Sequence, residues 1–281
     1  VIFATLHKDA TLLLMKLLEE SGLVSYVGKV NMDRNSPEYL TEHTAEESLK
    51  NTKEWLSEIP KDWQNCKPIL TPRFTPTCSD ALMEGLGKLA KEYKLPVQSH
   101  LSENPGEIAW VKELCPDAKH YGDTYDRYGL LENSIMAHCV YTEGEELSAL
   151  KARGTMICHC PQSNTNLCSG AAPIRRFLEE NVKVGLGTDV AGGANLSMLR
   201  AITDAISVSK LRFRLMDQSL SPLTLEEAFC LATLSGGSFF GKVGSFLPGY
   251  EADALVFHEK RRSVRKQTVK ERLEVLLYTG E

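Results

Sequence analysis

From Tyr26 to Asp189, short apolar or β-branched runs alternate with longer stretches in which apolar residues recur at helical spacing. That alternation is the pattern of βα units, which lay down a parallel sheet. It predicts strands near Tyr26–Met32, Lys67–Thr71, Leu95–His100, Ser134–His138, Thr155–His159 and Lys183–Asp189, each followed by a helix. The helix after Thr71 shows the logic: Leu82, Leu86, Leu89, Ala90 and Tyr93 share one face, and Ser79 stands where a capping side chain belongs. Thr142 with Glu145 and Thr224 with Glu227 have capping-box spacing, while Asn104 before Pro105 and Glu107 marks a further helix start.

Parallel strands alternating with helices either close into a barrel or stay open as a doubly wound sheet, and the polar residues separate the two. His100, His138 and Asp189 each end an apolar strand, with His159 in the equivalent place after another. In a (β/α)8 barrel such strand ends converge on one mouth. The glycine-rich turn of a dinucleotide-binding open sheet, Gly-x-Gly-x-x-Gly, is absent. The expected class is therefore α/β, a (β/α)8 TIM-type barrel over residues 1–241. After Gly241, turn residues give way to the β-like Ala252-Asp253-Ala254-Leu255-Val256-Phe257, which predicts part of a small β subdomain over 242–281.

Composition narrows the function. With 42% hydrophobic and 25% charged residues the chain matches ordinary soluble domains. No apolar run approaches the roughly 18–20 residues of a membrane-spanning helix. A net charge of −5 argues against a nucleic-acid partner and for a small neutral ligand. The basic stretch His258–Arg272 is interrupted by Glu259 and Glu271 and reads as a solvated mixed-charge segment. Eight cysteines scattered from Cys66 to Cys230 form no disulfide frame, so reduced thiols in a cytoplasmic protein are expected. The start at Val1 carries neither Met nor a signal peptide and is read as the interior of a longer chain.

The strand ends carry the candidate chemistry. Two imidazoles and a carboxylate, His100, His138 and Asp189, suit a catalytic zinc that keeps a position open for water. A single His at a strand end is more often a hydrogen-bonded core residue, but three such ends together favour a metal site. Glu103, three residues past His100, can accept a proton from a metal-bound water and return it to a leaving amine. Arg73 and Phe74 end another strand and offer a planar donor fork and a stacking face for a flat heterocycle. Cys158-His159-Cys160 with Cys168 lacks the spacing of a cysteine zinc knuckle and reads as a buried strand.

Thr71-Pro72-Arg73-Phe74, Gln98-Ser99-His100-Leu101-Ser102-Glu103-Asn104, Met136-Ala137-His138, His159-Cys160-Pro161-Gln162-Ser163-Asn164 and Leu186-Gly187-Thr188-Asp189-Val190-Ala191-Gly192-Gly193 carry a resemblance. From about Ala4 to the Ala252–Val256 segment the chain resembles the guanine deaminases of the amidohydrolase superfamily. The resemblance implies one zinc per subunit on His100, His138 and Asp189, with Glu103 as proton shuttle and Asp189 also taking a proton from the water. It further implies Arg73 and Phe74 on the purine, guanine hydrolysed to xanthine and ammonia, and a homodimer. The family also takes two ligands from a His-x-His that ends the first barrel strand, and this sequence contains no His-x-His. The chain is accordingly expected to be a copy truncated at both ends and lacking that strand; expressed alone, it would be inactive and marginally folded. Two other readings stand beside this one: a related hydrolase acting on another purine or heterocycle, and a catalytically dead isoform that serves as a binding partner.

Overall fold

A computed structural model describes residues 1–258 and 265–279. The chain divides into two compact units, Val1–Met136 with Thr142–Thr155, and Ala137–Tyr141 with Met156–Glu281.

The first unit is built from parallel strands and their helices: β1 (Ile2–Phe3), α1 (Lys8–Ser21), β2 (Ser25–Gly28), β3 (Val30–Asn31), α2 (Ala45–Glu58), β4 (Cys66–Pro68) and β5 (Thr71–Pro72). There follow α3 (Asp80–Tyr93), β6 (Val97–Leu101), α4 (Pro105–Leu114), α5 (Asp123–Asp126), the start of β7 (Ser134–His138) and α6 (Gly144–Arg153). Ile2 pairs with Val27, Ser25 with Cys66 and Val30 with Thr71, all in parallel register. Both early strands expected from the sequence are split. The second breaks where the chain changes neighbours, since Ile69 N–H reaches back to Val27 O and Leu70 N–H reaches forward to Pro96 O. The first breaks at Lys29, a fully buried ammonium 2.7 Å from the buried Glu42 carboxylate. Two-residue β1 is too short for a periodic signal, and the sequence pattern passed over it.

Met15, Val27, Trp55 and Cys66 form a solvent-free cluster, with Ile2, Leu12 and Leu56 packed on it. Each large apolar side chain buried in this way contributes about 1.5–3 kcal/mol. Helix α3 begins as expected, the Ser79 hydroxyl accepting from Leu82 N–H, and buries Leu82, Met83, Leu86 and Leu89. Tyr93 lies exposed at its end. In α4 the Asn104 side chain accepts from Glu107 N–H. The expected cap Thr142 is instead fully buried, and α6 starts one residue later from Glu143.

The second unit holds the end of β7, then β8 (Met156–His159), α7 (Pro161–Asn166), α8 (Ile174–Glu179), β9 (Lys183–Leu186), α9 (Met198–Leu215), α10 (Leu225–Cys230), a π-helical turn over Leu231–Ser235, and α11 (Val269–Thr279). β8 and β9 pair in parallel, His159 opposite Leu186. A Cβ on Gly185 would sit 3.1 Å from Gly236 Cα, so this glycine lets the π-turn lie directly on β9. The Ser235 hydroxyl closes that contact, donating to Val184 O at 2.5 Å. The capping box of Thr224 and Glu227 is present on α10. Within 242–281, where part of a β subdomain is expected, residues 242–258 contain no strand and α11 packs against α9. Residues 259–264, part of the basic stretch, lie outside the described residues. Among the described residues no helix is long and apolar enough to cross a membrane.

Candidate metal centre and active site

In the second unit, β7 ends at His138, which is 1% exposed and whose backbone adopts φ 74°. Asp189, three residues beyond β9, has φ 47°. Non-glycine residues held in this sparse region cost about 1–3 kcal/mol each and concentrate at functional sites. The local sequence supports the Asp189 turn: a Cβ on Gly193 would lie 2.0 Å from Thr188 O, and Gly193 N–H donates back to Asp189 O at 2.6 Å.

The two side chains converge, His138 Nε2 lying 3.9 Å from Asp189 Oδ2. Helix α7 orients both. Asn164 Oδ1 is 2.8 Å from His138 Nδ1, and an amide oxygen can only accept, so the imidazole proton sits on Nδ1 and Nε2 keeps its lone pair. Ser163 Oγ donates to Asp189 Oδ2 at 2.5 Å. Cys160 completes a group whose candidate ligand atoms all lie within 4.8 Å of one another. Its thiol is pushed well up by a hydrogen bond with Cys158 and by burial, which makes it a neutral neighbour. His159, the other strand-end histidine, is fully buried; burial and the adjacent His138 push it down to about 3, so it stays an uncharged core group.

In the first unit, His100 is half-buried near the end of β6, its Nδ1 2.7 Å from Arg73 O. A carbonyl accepts only, so in this imidazole too the ring proton sits on Nδ1. Its ring packs on Phe3 at 4.8 Å and on Phe74 at 6.3 Å. The Arg73 guanidinium is exposed and lies 4.9 Å from the centre of the Phe74 ring. Glu103 follows a left-handed turn at Ser102 (φ 47°) that directs the chain out of β6. Buried Glu146 holds this turn, accepting from Ser102 Oγ at 2.8 Å and from Gly122 N–H at 2.7 Å.

Of the residues singled out from the sequence, His138 and Asp189 thus meet in the second unit, while His100, Glu103, Arg73 and Phe74 belong to the first. The orienting roles of Asn164 and Ser163 were not read from the sequence. Their signals were position, soon after a strand ending in His159, and membership of the 159–164 run that carries the resemblance.

The chain is 44% identical over 265 residues to guanine deaminase of Homo sapiens, covering 92% of this chain and 58% of the human protein. It is 43% identical to the guanine deaminase of Dictyostelium discoideum over 90% of this chain and 57% of that protein. The chain therefore spans a little over half the length of the curated relatives it matches. Among solved structures it is similar to guanine deaminase from C. acetobutylicum with bound guanine in the active site, at TM-score 0.95 and 47% identity, covering 99% of this chain and 67% of that one. The E. coli guanine deaminase structure matches at TM-score 0.89 and 35% identity over 100% of this chain and 67% of that one. The sequence model of the amidohydrolase family matches residues 2–274, and the chain belongs to that family.

Proposed function

We propose that the chain carries much of the active site of a zinc-dependent guanine deaminase, which hydrolyses guanine with water to xanthine and ammonia. The observation that supports this most is the likeness, at TM-score 0.95 over 99% of the chain, to a guanine deaminase structure holding guanine. Residues 1–241 are read as part of its catalytic barrel, in a cytoplasmic homodimer.

The donor set fits a zinc ion. His138 Nε2 and Asp189 Oδ2, 3.9 Å apart, would hold it, and the Asn164 contact keeps the imidazole proton on the other nitrogen. His100, with Nδ1 held by Arg73 O, offers a third donor of the same kind. One ion per subunit on His100, His138 and Asp189 would supply the usual zinc chemistry, a water pKa lowered toward about 7.

The chain's own residues do the rest. Glu103, and Asp189 beside it in role, take the proton of the attacking water. Glu103 passes that proton to a ring nitrogen; the second proton, lost by the hydroxyl once it has added to the carbon, goes through Asp189 or Glu103 to the exocyclic amine, so that ammonia leaves from that carbon. Arg73 donates to the purine carbonyl edge, held ready by its cation–π contact with Phe74, whose ring stacks on the base. Polar donors matched to one purine edge reject heterocycles that would leave them unpaired. The test is ammonia release from guanine, adenine, adenosine-type compounds, pteridines and triazines, with metal analysis, on the protein that carries this sequence. Guanine should be the preferred substrate; preference for another heterocycle would overturn the assignment.

A further inference from the structure

We infer that Tyr125 is a positioning residue whose single hydroxyl couples purine binding to metal affinity, by tying the Arg73–Phe74 segment to His100. The inference rests on the guanine deaminase reading for its purine arm, and its structural arm stands on the first unit alone.

Tyr125 is 0% exposed on short helix α5, far along the chain from either segment it joins. Its phenol donates to the main-chain carbonyl of His100 at 2.8 Å and accepts from the main-chain N–H of Thr75 at 3.2 Å. It also lies 2.9 Å from Ser99 Oγ, which reaches Pro72 O at 2.7 Å and Arg73 O at 3.1 Å. The neighbouring Thr124 hydroxyl binds that of Thr75 at 2.7 Å, and the Tyr125 ring stacks on Tyr121 with centroids 5.9 Å apart.

One oxygen therefore fixes the backbone of His100 on one side and, two residues past Arg73, the backbone of Thr75 on the other. Arg73 matters twice over. Its side chain is the purine donor, and its carbonyl oxygen, 2.7 Å from His100 Nδ1, sets the histidine tautomer. A buried hydroxyl bridging both backbones keeps these two duties in register. Without it the two strand ends stay joined only at Arg73 O, where the His100 N–H contact is long at 3.4 Å, and both the imidazole orientation and the guanidinium placement loosen together.

Tyr125→Phe keeps the ring and removes only the bridge; Tyr121→Phe removes the neighbouring buried phenol oxygen, which lies beside Tyr125 and hydrogen-bonds to neither strand end. Three readouts decide: the His100 tautomer by 15N NMR in metal-free protein, the zinc dissociation constant by chelator competition, and guanine KM and kcat at saturating zinc. Tyr125→Phe should erode the Nδ1–H tautomer and raise zinc Kd and guanine KM roughly tenfold each, with kcat within about threefold, as loss of an outer support does. Ser99→Ala should move the same quantities in the same direction, and it serves if Tyr125→Phe folds poorly. Tyr121→Phe should leave all of them near wild type. An unchanged tautomer and zinc Kd in Tyr125→Phe, or equal effects in Tyr121→Phe, would overturn the inference. If the wild-type protein fails to turn over guanine, the functional reading fails, while tautomer and zinc Kd still decide the role of Tyr125.

Discussion

His138 Nδ1 and Asn164 Oδ1 lie 2.8 Å apart, and this one hydrogen bond decides which imidazole nitrogen can face a metal. Asn164→Ala removes the acceptor that selects the tautomer. Zinc affinity should fall about 10–100-fold, the usual effect of losing an outer-shell partner, with the fold intact. Chelator competition against the wild type checks this, and unchanged affinity would remove Asn164 from the site.

Glu103→Gln keeps the size and hydrogen-bonding reach of the side chain and abolishes its basicity. Turnover should drop by about 10²–10⁴-fold, the range of a lost general acid–base group, at unchanged zinc content. Near-normal kcat would dismiss the shuttle role.

Arg73→Ala should act mainly through guanine binding. Its guanidinium is exposed and lies over Phe74, so truncation opens no cavity in the core. KM should rise well beyond any fall in thermal stability. Unchanged KM would place the purine elsewhere.

Glu227 sets a pH dependence. Its hydrogen bonds with Arg175 at 2.7 Å, and then the Thr224 cap, hold its carboxyl down at about 2, against an ordinary value of 4.5. A carboxylate with a lowered folded pKa takes up protons more readily when unfolded. Its stabilisation is therefore complete above 4.5 and is lost as pH falls from 4.5 toward about 2. Glu227→Gln should flatten that part of the stability–pH curve, read by denaturant unfolding; an unaltered slope would show the pair contributes little.

Glu42→Gln tests the buried pair that interrupts the first expected strand. It leaves the Lys29 ammonium, 1% exposed, without its counter-charge. Removing one partner of a buried pair costs about 3–5 kcal/mol, so unfolding midpoints should fall sharply. A double replacement of Lys29 and Glu42 by apolar residues of similar volume should recover much of the loss.

The order of elements was legible along the chain, because strand and helix periodicity, Ser79, Asn104 and the Thr224–Glu227 box are local signals. So were the places of His100, His138 and Asp189 at or just beyond strand ends, each a polar residue after an apolar run. Periodicity could not show the break at Lys29, whose buried ammonium pairs with a carboxylate thirteen residues away, or the two-residue strand Ile2–Phe3. Nor could it find the groups that orient these side chains. Asn164 meets His138 across 26 positions, Ser163 meets Asp189 across 26, and Tyr125 meets His100 across 25. Local sequence determines which backbone a segment prefers and which side chains sit at its ends. The direction of a lone pair is set by hydrogen bonds between segments, and those exist only once the chain has folded.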